Sequence, residues 1–187
     1  MPEKHNVKAR DIIEKFYNPR SKAYEILLRH GELVANKAID VAGKVAHLNP
    51  DLDFIREAAM LHDIGIFLTG SLALGCTGTQ PYICHGYLGR ELLEETGLTR
   101  HALVCERHLG VGISAQDIRR HTLPLPERDM LPISIEEQIV CFADKFFSKN
   151  ATTTASENSV DDILRNLEPH GEDKVAIFKS WVNLFGL

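Results

Sequence analysis

Apolar residues fall at Ala23, Ile26, Leu27, Val34, Ala38, Val41, Ala42 and Val45. This is the three-and-four spacing of a single helical face, and it predicts a helix over residues 22–46. Residues 47–50 break it. A second helix starts near Pro50, with Asn49 or Asp51 as cap, and runs through Phe54, Ile55, Ala58, Ala59 and Leu61 to Gly65. The stretch LTGSLALGCTGTQP at 68–81 has no helical period and reads as a loop of functional character. A helix from about residue 83 carries Leu88, Leu92 and Leu93 and stops at Gly97; another spans 99–110. A short helical turn follows Ser114, and HTLPLPERDMLP, with its three prolines, is loop. SIEE at 134–137 is a capping box opening a helix through Ile139, Val140, Ala143 and Phe146. NATTTASEN at 150–158 is a polar linker, and amphipathic segments at 160–167 and 174–184 close the chain. Phe178, Trp181, Leu184 and Phe185 are expected to pack on the same chain, because they offer too much apolar surface to leave exposed. With no repeat and no strand pattern, the fold class is all-α, helix packed on helix.

Several polar residues fall on the apolar faces. His30 lies four residues from both Ile26 and Val34. In AAMLHDIG, His62 follows Ala58 by four and Ala59 by three, and Asp63 stands beside it. His85 precedes Leu88 by three; His108 follows Cys105 by three; Asp144 follows Val140 by four. Unpartnered polar groups in an apolar core cost roughly 2–7 kcal/mol each even when neutral. Four imidazoles and two carboxylates buried together therefore need a common partner. Divalent cations supply one, since imidazole nitrogen and carboxylate oxygen are ligands that Fe, Mn and Zn accept. The remaining histidines, His5, His47, His101, His121 and His170, sit in polar segments or at element ends and are read as solvated or structural.

Composition narrows the class. A chain of 187 residues suggests one domain, and 44% hydrophobic with 25% charged residues is ordinary for a globular protein. No apolar run approaches the ~20 residues of a membrane span. The polar start, MPEKHNVKARD, lacks the apolar stretch of a signal peptide, so a cytoplasmic protein is expected. In that setting Asn150-Ala151-Thr152 is not a glycosylation site. Cys76, Cys84, Cys105 and Cys141 form no C-x-x-C pair and are expected to be buried free thiols. A formal net charge of −5 argues against a nucleic-acid partner, but leaves room for a small anionic substrate in a locally positive pocket.

The order His30, then His62-Asp63-Ile64-Gly65, then His85, His108 and Asp144 in ADK resembles the two-metal branch of the HD superfamily of metal-dependent phosphohydrolases. The likeness covers roughly residues 23–149, and HGYLGRELLEETGL resembles that family's helix after the third histidine. GCTGTQPYICHGYLG, ERHLGVGIS and LPLPERDMLPISIEE resemble an HDIG subgroup of prokaryotic hydrolases. The resemblance implies an HD-domain-like helical bundle with additional C-terminal helices: one domain over 1–187, with a core at about 22–149 and an extension at about 158–187. It also implies that His30, His62, Asp63 and Asp144 hold one metal ion, that His85 and His108 hold a second, and that Asp63 bridges the two. Fe or Mn is favoured for both ions, with Zn, Ni, Co or Mg as alternatives.

Two such ions activate water and neutralise phosphoryl oxygens, so no Ser or Cys nucleophile is needed. The expected function is hydrolysis of a nucleotide, dinucleotide or other small phosphoester. Lys145 and Lys149, which follow the last ligand, are the cations expected to meet the phosphate, ahead of Arg90, Arg107 and Arg128. Many two-metal relatives carry a lysine straight after HDIG; here that position is Ile66, and the GYP signature of the cyclic-dinucleotide enzymes is absent. The alternatives are a di-iron oxygenase built on the same ligands and a non-catalytic sensor domain that retains metal.

Overall fold

The structure is a computed structural model describing residues 8–149 and 157–186. The start of the chain, with His5, and the linker at 150–156, with its sequon-like triplet, lie outside the described residues. Nine α-helices are present among the described residues: α1 (Ala9–Phe16), α2 (Lys22–Lys44), α3 (Leu52–Leu61), α4 (His85–Glu95), α5 (Thr99–Arg107), α6 (Ala115–His121), α7 (Ile135–Asp144), α8 (Val160–Leu167) and α9 (Glu172–Phe185). The only β structure among the described residues is isolated bridges, such as Thr69 with Gln80. The protein is all-α, as its periodicity implies.

Two apolar clusters meet along α2. The first joins Val34 through Val45 of α2 to Phe54 and Ile55 of α3, Ile139 through Phe146 around α7, and Ile163, Leu167, Phe178, Trp181 and Phe185 of the last two helices. The second joins Leu27 and Leu28, earlier on α2, to Ile13, Leu61, Ile64, Ile66 and Leu93. The C-terminal helices thus share the first core, with the Phe142 ring 5.1 Å from Phe178 and 4.9 Å from Phe185. Leu184 departs from the expected packing and is 43% exposed, because it lies on the outer face of α9.

Several boundaries differ from those the sequence predicts. Helix α1 is an addition to the elements expected from the sequence: Ala9, Ile12, Ile13, Phe16 and Tyr17 form one apolar face, but over only two turns and next to the polar start of the chain. It is fastened from outside: the Tyr17 hydroxyl donates to the Ile64 carbonyl at 2.7 Å and accepts from the Phe67 amide at 3.2 Å. Helix α3 stops at Leu61, not Gly65, and passes through His62 and Asp63 into a 3₁₀ turn, Ile64–Leu68. Gly65 serves close approach there: a Cβ on it would sit 2.6 Å from the Gly89 amide nitrogen of α4. Helix α5 likewise ends at Arg107, before Gly110.

The expected box at Ser134 is half formed. Its side chain accepts from Glu137 N, but the Glu137 carboxylate turns to Ile133 N at 2.9 Å and to Arg107. Complete boxes occur instead at Ser114/Asp117 and Ser159/Asp162. The 68–81 segment is a loop with one 3₁₀ turn, Leu72–Leu74, closed by Gly70 N donating to Gln80 O at 2.9 Å. All four cysteines are free and buried. No described helix is long and apolar enough to cross a membrane.

Lys174 of α9 is the polar tie between the last helix and the body. Its ammonium donates to Asp117 Oδ2 at 2.6 Å and to the Gly112 carbonyl at 3.2 Å. Burial works against the Asp117 carboxylate, but Lys174 and the Ser114 bonds outweigh it and hold its pKa at about 2. Lys174→Met should remove hydrogen bonds to charge of about 1.5–3 kcal/mol, lowering Tm by about 2–4 °C per kcal/mol for a chain of this size. A depressed carboxyl pKa stabilises above its unfolded value and loses that contribution as pH falls through the folded one. Wild type should therefore shed this margin between the unfolded value of 3.8 and about 2, with a shallower fall in K174M. Thermal melts across that range provide the check.

Candidate metal centre

All six residues singled out for metal converge where the two cores meet. His30 lies on α2 between Leu27 and Val34; His62 and Asp63 leave α3; His85 opens α4; His108 leaves α5; Asp144 ends α7. His62, Asp63, His85 and His108 are 1% exposed, and His30 and Asp144 are nearly as buried. The contact between Gly65 and α4 sets the spacing between Asp63 and His85.

One local device orients three of the imidazoles. Nδ1 of His62 meets the Ala59 carbonyl at 2.6 Å, Nδ1 of His85 the Tyr82 carbonyl at 2.6 Å, and Nδ1 of His108 the Cys105 carbonyl at 2.7 Å. Each partner lies three residues earlier. A carbonyl only accepts, so Nδ1 carries the hydrogen and the neutral ring presents a bare lone pair at Nε2.

Those lone pairs face one another. His85 Nε2 and His108 Nε2 are 3.1 Å apart, and Asp63 Oδ1 is 3.1 Å and 3.3 Å from them. On the other side His30 Nε2 and His62 Nε2 are 3.3 Å apart, with Asp144 Oδ1 at 2.9 Å and 3.3 Å and Asp63 Oδ2 at 3.4 Å from both. Among the described residues His30 Nδ1 and both Asp63 oxygens are buried without a hydrogen bond. His30 Nε2 can donate to Asp144, but His85, His108 and Asp63 Oδ1 are convergent acceptors with no hydrogen to share; they repel, and a divalent cation removes the repulsion. The donor set fits such an ion. His30, His62 and Asp144 form one group that could hold it, and His62, Asp63 and His108 a second.

The surrounding charge is arranged to match. Burial opposes ionisation of Asp63, yet Lys149 at 2.9 Å from Oδ2 and the imidazoles hold it well below the carboxylate range. Asp144 is held down in the same way by Lys145, at 2.8 Å from Oδ2, and by Lys149. Burial drives His108 down to about 3, whereas Asp63 and Asp144 overcome the same burial at His62 and favour a positive charge at its Nε2, the place a cation would take from a proton. The two lysines balance the carboxylates.

Neighbouring groups fix the helix ends. The Cys105 thiol donates to the His62 carbonyl at 2.9 Å, and the Cys141 thiol to the His108 carbonyl at 3.3 Å. Both are carbonyls that a helix end leaves without an intrahelical partner. Burial pushes both thiols up, Cys141 to about 12, so they remain protonated donors. Arg90 and Arg128 both clamp the buried Glu106, at 2.6 Å and 2.8 Å, and Arg107 pairs with Glu137 at 2.9 Å. These arginines brace α5, leaving Lys145 and Lys149 as the cations at the centre. Ile66 is fully buried in the second core. His101 lies apart, 3.2 Å from Glu57 and edge-on to Phe54, with its pKa pushed down to about 4 by burial and Arg100. His47, His121 and His170 are exposed.

Tyr82 is a site residue that sequence reasoning missed. Its ring centroid lies 4.6 Å from that of His85 and 5.8 Å from Lys149 Nζ, and it is 40% exposed. The available signal was its place three residues before a candidate ligand, the offset that orients three of the imidazoles. Tyr82 borders a cavity of about 410 Å³ that reaches Asp144, Lys145 and Lys149.

Residues 27–148 match the HD domain family. The chain belongs to that family. An uncharacterised protein of Methanocaldococcus jannaschii is 30% identical over 164 residues, 87% of this chain and 79% of that one. The tRNA (cytidine(56)-2′-O)-methyltransferases of Thermoplasma volcanium and Picrophilus torridus are each 32% identical over 127 residues, 67% of this chain and 33% of theirs. This chain therefore spans only about a third of those two enzymes. The HD domain of the L. monocytogenes phosphodiesterase PgpH, solved with cyclic-di-AMP, matches with a TM-score of 0.54 over 95% of both chains at 14% identity. That match is one of fold.

A cation that relieves the lone-pair repulsion binds the folded chain only and must stabilise it. Stripping metal with a chelator should lower Tm, and restoring a divalent ion at a hundred times its Kd should return about 2.7 kcal/mol. In Asp63→Asn the metal-dependent rise should fall by more than half. A wild-type Tm indifferent to every divalent ion would overturn the metal-centre reading.

Proposed function

We propose that the protein is a cytoplasmic metal-dependent phosphohydrolase with a binuclear centre, acting on a nucleotide, dinucleotide or other small phosphoester. The observation that carries this reading is the division of Asp63: Oδ2 faces His30 and His62, whereas Oδ1 faces His85 and His108. In this reading His30, His62, Asp144 and Asp63 Oδ2 hold one ion, and His85, His108 and Asp63 Oδ1 hold the other. The pair, when bound, would supply a hydroxide at neutral pH and neutralise phosphoryl charge. On the same reading the chain is a single HD domain whose core ends near residue 149 and whose C-terminal helices belong to the same unit.

The chain's own residues do the rest. Lys145 and Lys149 bind the phosphoryl oxygens, their ammonium groups already standing at the two carboxylates. Asp63 positions both halves of the site. The tRNA chemistry named for the two archaeal methyltransferases concerns proteins of which the matched stretch is a third. A net charge of −5 favours a small substrate for this chain over tRNA.

Redox chemistry separates this reading from the oxygenase alternative. The Mn²⁺-loaded protein should hydrolyse a phosphomonoester or phosphodiester under strict anaerobiosis. Activity that requires iron and consumes oxygen would replace the hydrolase with an oxygenase. Replacing Lys145 and Lys149 together by Ala should cut kcat/KM by about 10²–10⁴-fold, the size of two lost charge-assisted hydrogen bonds, with metal content unchanged.

Elemental analysis after chelator-free purification should approach two ions per chain. Asp63→Ala should reduce both ions, and Asp144→Ala chiefly one. A ceiling of one ion under saturating metal would remove the binuclear claim.

A further inference from the structure

The cavity beside the centre is lined by two unlike kinds of residue. Some are charged: Asp144, Lys145 and Lys149. Others are neutral, among them Ile163, Asn166 and Leu167 of α8 and Leu74 of the 68–81 loop. We propose that α8 is the specificity wall of this pocket, that the pocket takes a single phosphoester of nucleoside size, and that Asn166 reads the uncharged part of that molecule. The proposal rests on the hydrolase reading for the phosphate and deepens it.

Three observations carry it. First, α8 is held in place from the centre itself. Asn158, just ahead of α8, donates its amide N–H to the Phe146 carbonyl at 2.8 Å and its side-chain Nδ2 to the Lys145 carbonyl at 3.0 Å. Chain beyond the linker thus returns to the backbone directly after Asp144. Ile163 and Leu167 then anchor α8 in the first core. A wall fixed at both levels has a defined distance from the charged residues.

Second, Asn166 is exposed and its amide makes no hydrogen bond among the described residues, although it lines the cavity. Asparagine is a poor residue for a helix interior, and here it contributes neither a cap nor a tie. A carboxamide offers donors and an acceptor without charge, which suits a neutral, heteroatom-rich group. Leu74, Ile163 and Leu167 beside it offer apolar contact, and Tyr82 an aromatic face toward the centre.

Third, a volume of about 410 Å³ lies near the lower end of the ~300–1,000 Å³ typical of small-molecule sites. It has room for one nucleoside-sized group and its phosphate.

The test uses the full-length, metal-loaded protein and isothermal titration. The probes are inorganic phosphate and the non-hydrolysable methylenephosphonate analogues of adenosine and uridine 5′-monophosphate. At least one analogue should bind wild type ten-fold or more tightly than phosphate. Asn166→Ala should weaken that analogue five- to ten-fold and leave phosphate within two-fold; Asn166→Gln should recover part of the loss. Asn166 is exposed, so a thermal melt should show both variants folded. The inference is overturned if neither analogue outbinds phosphate, or if N166A weakens phosphate and analogue alike.

Turnover assays keep the two readings apart. Asn166-dependent analogue binding with no phosphoester hydrolysed under any metal would retain the pocket and remove the hydrolase. Hydrolysis indifferent to Asn166 would retain the hydrolase and remove the wall.

Discussion

His85 Nε2, His108 Nε2 and Asp63 Oδ1 face one another across 3.1–3.3 Å with no hydrogen available to any pair of them. The rest of the structure holds that unfavourable meeting in place. Nδ1 of each of these two rings is committed to a carbonyl of its own chain segment, so neither can turn to relieve the contact without breaking a hydrogen bond. The segments that bear the inward groups are closed by a thiol or packed by a glycine. The cost of bringing these acceptors together is met by the two apolar cores on either side, which bury Phe142, Phe178 and Phe185 on one flank and Ile13, Leu61 and Ile64 on the other.

Membership of the HD domain family and the all-α fold agree with this arrangement, and the bracing around it comes from charged residues outside the inward set. Glu106, two residues before His108, is buried and gripped by arginines from α4 and from the proline loop. Glu137 leaves its expected capping role to hold Arg107 and Ile133 N. Arginines that the sequence offers as secondary partners for a phosphate therefore act as struts on Glu106 and Glu137 around the end of α5.

The legibility of the sequence follows the range of the interactions. His30 and Asp144 were readable because each sits on a helix long enough for its apolar face to repeat. His62 and His108 were readable as inward-facing, but the helices expected to carry them ran too far, to Gly65 and Gly110. Those glycines looked like stop signals; Gly65 instead allows backbone to approach backbone on α4. Helix α1 carries a legible apolar face at residues 9, 12, 13, 16 and 17, but what fixes so short a helix, the bond from Tyr17 to Ile64, crosses 47 residues and is not written locally. The half-formed box at Ser134 failed for the same reason, since Arg107 competes for Glu137 from another helix. Tyr82 carried only its offset of three from His85, and Asn166 no signal at all. Asn166 comes to the cavity through the folding of a distant segment, which local spacing does not encode.

The family match ends at residue 148, and Asn158 rejoins the body beside Asp144 only after it. The candidate metal-holding groups and the outer wall of the cavity therefore belong to different stretches of chain, joined by two hydrogen bonds to the backbone of Lys145 and Phe146. Phe178 and Phe185 of the later stretch pack on Phe142 of α7, so its buried face is bound to the centre, whereas the exposed face of α8 is not. Exposed positions there, Asn166 among them, can change without moving the six inward side chains, so on the hydrolase reading the lining of the cavity is free to diverge faster than the centre it serves.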